Sequence, residues 1–140
     1  MFQRVTGTAT FNLLTKGLDV ASKRHEVISN NIANVNTPNF KRQVVSFEDE
    51  MAKVFDGTTD LTGRRHYNRH IPIGETNYMN VEPHIIKDRI HVMRNDNNNV
   101  DIDVEMADLA KNTMQYQILS TRLAAMFAEL NDVIVRGGRG

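Results

Sequence analysis

From Phe11 the apolar positions fall at Phe11, Leu14, Leu18, Ala21, Ile28, Ile32 and Val35, with His25 in the one polar place, in alternating steps of three and four. That is the spacing of a helix with one packed stripe. The same alternation returns at Leu109, Asn112, Tyr116, Leu119, Leu123, Met126, Leu130 and Val133, where Asn112 is the polar intruder. Two stripes of matching length at opposite ends of a chain are satisfied by packing on each other as antiparallel partners. The spacing predicts helices near 9–35 and 103–134. The local signals agree: Asn36 suits a left-handed C-terminal position, Pro38 blocks continuation, and Asp101, Asp103 and Glu105 suit the start of the second helix.

The expected fold is mainly α. Residues 1–37 and 103–140 form a discontinuous coiled-coil core with Leu14, Leu18, Ile28, Ile32, Leu119, Leu123, Met126 and Leu130 in its seam, and residues 38–102 connect them. In that connection "RQVVSF" (42–47) and "RIHVM" (89–93) read as short strands, while "FDGTTDLTGRRHYNRH" and "RNDNNNVD" read as loops, so the middle makes at most a small β-hairpin.

A bare pair of helices needs charged outer faces. Here Leu13, Val20 and Val27 form a second apolar line on the first helix; Met106, Ile118, Phe127 and Ile134 widen the apolar surface of the second; "NTMQYQILST" (112–121) carries no charge. More than one face of each helix needs cover, which points to neighbouring chains, including copies of this one. The alternative is a compact monomer with a third element hidden in the middle.

Composition adds little. Seventeen basic residues balance seventeen acidic ones in a chain of 140, which suits one domain and offers no field for nucleic acid or an anionic membrane. There is no cysteine, hence no disulfide or thiolate chemistry. The start lacks the pattern of a secretory signal peptide, and no apolar run is long enough to span a membrane.

Asparagine is a poor helix former, yet Asn30, Asn31 and Asn34 crowd the end of the first helix and Asn112 sits in the second stripe. Such amides are tolerated where they bond to a defined partner; the alternative is an exposed polar helix end leading into a turn, and spacing leaves both open. Gly17 costs about 1 kcal/mol in a helix relative to alanine, which suits a close approach by another backbone. His66 and His70 are four apart, a metal-ligand spacing on a helix, but their surroundings have no helical period. Asp96, Asp101, Asp103 and Glu105 around "NNNV" offer calcium-type oxygens, although helix capping explains them better. None of Ser22, Ser29 and Ser46 sits in a nucleophile motif. The expectation is no catalytic residue, no metal site and no cofactor.

The run "SNNIANVNTPNFKR" (29–42) resembles the N-terminal signature of bacterial flagellar rod and hook proteins. Asn30, Asn31, Ile32, Ala33, Asn34, Thr37, Pro38 and Lys41 match it; Asn39 stands where that family usually has glycine and Phe40 where it has tyrosine. Asparagine tolerates the left-handed conformation, so the turn can survive. "RHIP" (69–72), "NNVDIDVEM" (98–106), "KNTMQYQIL" (111–119) and the terminal "RGGRG" are similar to the short members that form the proximal rod. The resemblance implies a structural subunit of the basal body that joins the membrane ring and export gate to the distal rod and transmits torque. It implies passage through the type III export gate without a cleaved signal peptide, and assembly in the periplasm. The implied partners are copies of the chain, other rod subunits and an adaptor at the ring–rod junction, with no nucleic acid and no small-molecule substrate. On this reading Asn30, Asn31, Ile32, Ala33, Asn34, Thr37, Pro38, Phe40, Asn112, Tyr116 and Phe127 serve assembly, and Phe47 with Met51 is a possible export signal, Phe40 with Val44 matching the same pattern. Two other classes stand beside it: a soluble helical-hairpin binding adaptor, and a metal-dependent enzyme using His66, His70 and the acidic loop around Asp96, Asp101, Asp103 and Glu105.

Overall fold

The computed structural model describes residues 9–55, 81–88 and 95–137. Their order is α1 (Ala9–Ala33), β1 (Gln43–Ser46), α2 (Glu48–Phe55), β2 (His84–Lys87) and α3 (Ile102–Gly137). The protein is mainly helical, with two long terminal helices and one small sheet. Four points fix α1 and α3 as antiparallel in a single register. The Phe11 ring meets Phe127 edge-on at 5.7 Å; a Cβ placed on Gly17 lies 3.2 Å from Leu119 Cδ1; Asn112 reaches the Ala21 carbonyl; and Asn31 reaches Glu105. The close neighbour of Gly17 is therefore a partner side chain, not the partner backbone anticipated from its cost.

α1 is buried along two adjoining lines. Ala21 and Ile28 belong to the heptad stripe, whereas Val20 and Val27 pack with Val45, Phe47 and Met51, and with the half-buried Val81. This corrects the expectation that neighbouring chains cover Val20 and Val27: the middle of the same chain does so, and is not a detached connector. Leu13, on the same line, remains exposed. Of the stripe positions, His25, Tyr116 and Val133 are exposed. Leu14, Leu18, Ile32, Leu119, Leu123, Met126 and Leu130 are half-buried.

β1 pairs antiparallel with β2, Gln43 opposite Lys87 and Ser46 opposite His84. The first expected strand is thus present; its partner is the segment 84–87, and "RIHVM" lies mostly outside the described residues. α2 was not expected. Its first turn carries Glu48, Asp49 and Glu50, which favour a helix N-terminus, and Met51 N–H opens the ladder to the Phe47 carbonyl at 2.9 Å. At the end of α1 the left-handed residue is Asn39 (φ 61°), not Asn36.

Candidate functional site

Antiparallel pairing brings the C-terminal end of α1 to the N-terminal end of α3, so the amide-rich runs 30–39 and 95–99 meet. Asn31 is fully buried. Its Nδ2 donates to the Gln43 carbonyl at 2.8 Å, and its Oδ1 accepts from Gln43 N–H at 3.0 Å, so the side chain pairs with the first residue of β1 as a neighbouring strand would. The same Nδ2 donates to Glu105 Oε2 at 3.1 Å. Glu105, also fully buried, accepts from Arg42 Nε on its other oxygen, and Arg42 Nη2 donates to Asp108 Oδ2 at 2.9 Å. Burial pulls the Arg42 pKa down, but Glu105 and then Asp108 outweigh it and raise the value above that of an ordinary arginine. The guanidinium stays charged, and the buried carboxylate keeps a permanent counter-ion.

A second set of bonds ties the loop before α3 to the turn after α1. Asn98 Nδ2 donates to the carbonyls of Asn34 (3.0 Å), Val35 (3.0 Å) and Thr37 (2.9 Å), while its Oδ1 accepts from Val100 N–H at 2.8 Å. One buried amide thus holds the turn that follows α1, its two hydrogens shared among three carbonyls. Asn99 accepts from Arg42 N–H at 2.7 Å and donates to the Asp88 carbonyl at 2.9 Å. Asn39 N–H donates to the Asp96 carbonyl at 2.9 Å, and Lys41 Nζ to the Asn97 carbonyl at 2.7 Å. At the start of α3, Asp101 Oδ1 caps Asp103 N–H at 2.9 Å.

The oxygens weighed for calcium are thus engaged at Asp96, Asp101 and Glu105, and no group of three or more acidic or histidine side chains among the described residues is placed to hold a metal. His66 and His70 lie outside the described residues.

Three expected positions take other uses within the chain. Asn31 bonds to Gln43 and Glu105 instead of crossing a subunit boundary, since it is enclosed on all sides. Glu105 is more than a helix-dipole acid, being the buried centre of a clasp formed with Asn31, Arg42 and Asp108. Asn112 donates from Nδ2 to the Ala21 carbonyl at 2.9 Å, an intrachain partner. Asn34 Nδ2 donates to Asn30 Oδ1 at 2.7 Å, and Thr37 Oγ1 to Asn34 Oδ1 at 3.2 Å, which leaves Asn30, Ala33, Thr37 and Pro38 as an exposed ridge. Ile32 and Phe40 are half-buried and Tyr116 and Phe127 exposed. Reading the sequence missed Arg42, Gln43, Asn98 and Asn99. The available signal was that antiparallel helices must bring two asparagine runs to the same end.

Beside the clasp, Arg24, Arg42 and Lys111 line a cavity of about 430 Å³ together with Glu48, Glu105 and Asp108. Arg24 donates to Glu48. That hydrogen bond, opposed by partial burial and aided by the charges of Arg24 and Lys111, holds the Glu48 carboxyl below the usual glutamate range. Its stabilisation is complete above the ordinary range and is lost as pH falls through the lowered folded value. Glu48 is largely exposed, so the effect is small. Urea titrations should show Glu48→Gln slightly less stable than the parent at pH 7 and equal to it once both states are protonated. A gap that persists unchanged in acid would disprove the assignment.

Residues 11–41, the span of α1 and the turn after it, match the family model described as "Flagella basal body rod protein". Over 120 residues the chain is 41% identical to the flagellar basal body rod protein FlgB of Borreliella burgdorferi, spanning 84% of this chain and 89% of the relative. The FlgB proteins of Bacillus subtilis (33% identical; 93% of this chain, 96% of the relative) and Escherichia coli K12 (28%; 92% and 95%) are similar along nearly the whole length. The match thus runs through both long helices and the clasp that joins them, and the chain belongs to the FlgB family of structural flagellar basal body rod proteins.

Proposed function

We propose that the chain is a subunit of the proximal rod, joining the membrane ring and export gate to the distal rod and carrying torque between them, and that it is not a catalyst. The observation that carries this reading is the surface of α3, where Ile102, Val104, Met106, Met114, Tyr116, Ile118, Phe127, Val133, Ile134 and Val135 are all exposed in the single chain. They lie on several sides of one helix, as suits an element enclosed by neighbours in a tube.

In this reading other rod subunits and copies of the chain supply that cover, the exposed ridge at Asn30, Ala33, Thr37 and Pro38 takes part, and an adaptor protein meets the chain at the ring–rod junction. The chain passes the type III export gate unfolded, without a cleaved signal peptide, and folds on assembly in the periplasm. Phe47 and Met51 are buried in the core, so an export receptor that reads them must meet the unfolded chain. Among the described residues, no helix is long and apolar enough to cross a membrane.

Hydrogen exchange of free chain and of purified basal bodies tests the proposal. Residues 120–137 should exchange rapidly in the free chain and become protected in the rod. Full protection of α3 in the free monomer, or absence of the chain from basal bodies, would defeat it.

A further inference from the structure

Each of the two helical stripes has one polar member, His25 on α1 and Asn112 on α3, and the antiparallel register sets both beside one cavity. Asn112 is buried, and its Nδ2 donates to the Ala21 carbonyl at 2.9 Å. Its Oδ1 is shut off from solvent and has no hydrogen-bond partner among the described residues. Leaving such an acceptor unpaired is costly. The cavity, of about 280 Å³, is walled by Ala21, Ser22, His25, Asn112, Thr113 and Tyr116.

We propose that the His25 imidazole folds into this cavity and donates a ring N–H to Asn112 Oδ1, so that the two polar stripe members form a matched pair across the seam. His25 lies one turn after Ala21 on the same face of α1. A helical side chain leans toward the N-terminal end of its own helix, so the ring inclines toward Ala21, whose carbonyl holds the Asn112 amide. The ring is exposed, so it turns without displacing packed side chains. Two other wall residues are poorer donors. Thr113 Oγ1 already donates to the Leu109 carbonyl at 2.8 Å, and Ser22 is about 100° round α1 from Ala21 with a short side chain. Tyr116 is the remaining competitor, and the test separates it. A slip of the helices by seven residues would keep both stripes in contact but set Asn112 beside Leu14 or Ile28, neither of which carries a donor. The pair therefore selects the observed register from within the seam, about two turns along α3 from Glu105. It belongs to the single chain and needs no neighbouring subunit.

Urea titration of the free chain at about pH 8, above the ordinary imidazole range, compares His25→Ala, Asn112→Leu and the double variant. His25→Ala should lower the folding equilibrium constant about tenfold more in the parent than in the Asn112→Leu background, where the acceptor is gone. The higher helix propensity of alanine is common to both backgrounds and cancels. Nitrogen-15 spectra should show the His25 ring held in one tautomer in the parent and averaging between two in Asn112→Leu. Equal effects of His25→Ala in the two backgrounds, an averaging ring in the parent, or coupling of Asn112→Leu to Tyr116→Phe in place of His25→Ala would each overturn the proposal.

Discussion

Replacing Glu105 with alanine is expected to destabilise the free chain by about 3 kcal/mol, the lower end of the range for breaking a buried ion pair. The carboxylate is fully enclosed and receives Arg42 and Asn31, and through them it joins α3 to both the entry of β1 and the end of α1. Removing it leaves a buried amide hydrogen and a guanidinium with one partner fewer. The cost stays near the lower limit because Arg42 retains Asp108 and some contact with solvent. Against a typical domain stability of about 5–15 kcal/mol this is a large fraction, and a urea titration followed by far-ultraviolet circular dichroism should show it as a lowered midpoint. A loss below about 1 kcal/mol would mean that the clasp adds little to the fold.

The second large effect is expected at Asn98. Its amide group donates to three carbonyls at the end of α1 and accepts one N–H at the start of the α3 approach. Alanine removes both N–H groups, shared among the three carbonyls, and the one acceptor, and at roughly 1 kcal/mol net for each hydrogen, reduced by whatever water replaces, the loss is about 2–3 kcal/mol. Aspartate is a sharper probe. It has nearly the same shape but presents an acceptor to three acceptors, so Asn98→Asp should be worse than Asn98→Ala at neutral pH and should improve as the new carboxylate is protonated. Thermal unfolding at two pH values, with amide exchange of Asn34 to Thr37, distinguishes the cases. Equal stability of Asn98→Asp and the parent at pH 7 would refute this account of the helix end.

Asparagine 39 shows how a sequence departure can be absorbed. Its φ of 61° is the left-handed value that glycine normally supplies, and its N–H bonds to the Asp96 carbonyl. A β-branched residue there would be strained, whereas asparagine tolerates the position at modest cost. The turn thus keeps the direction that carries Arg42 to Glu105.

The periodicity of Leu14, Leu18, Ala21, Ile28, Leu119 and Leu123 was enough to place both long helices and to pair them antiparallel, because a stripe of apolar residues at helical spacing has few other ways to leave water. The strand at 43–46 was also visible, as a short β-branched run before a change of pattern. What the one-dimensional pattern could not contain was the second cover for Val20 and Val27. That depends on an eight-residue helix and a strand too short to signal themselves, and they become stable only against α1. The buried polar groups were hidden for a related reason. Asn31, Asn98 and Glu105 look in sequence like a frayed helix end, a loop and a helix-start acid, since each is compatible with water at the surface. Only the antiparallel register brings them within hydrogen-bonding distance and removes the water, and then each must bond to the others. The sequence by itself determined two long helices, their pairing and the family signature, through local spacing and residue type. The tertiary structure alone decided that Asn98 and Asn112 would be locked inside the chain and that one oxygen of Asn112 would be left without a partner, because satisfying a buried amide depends on groups about 60 to 90 residues away.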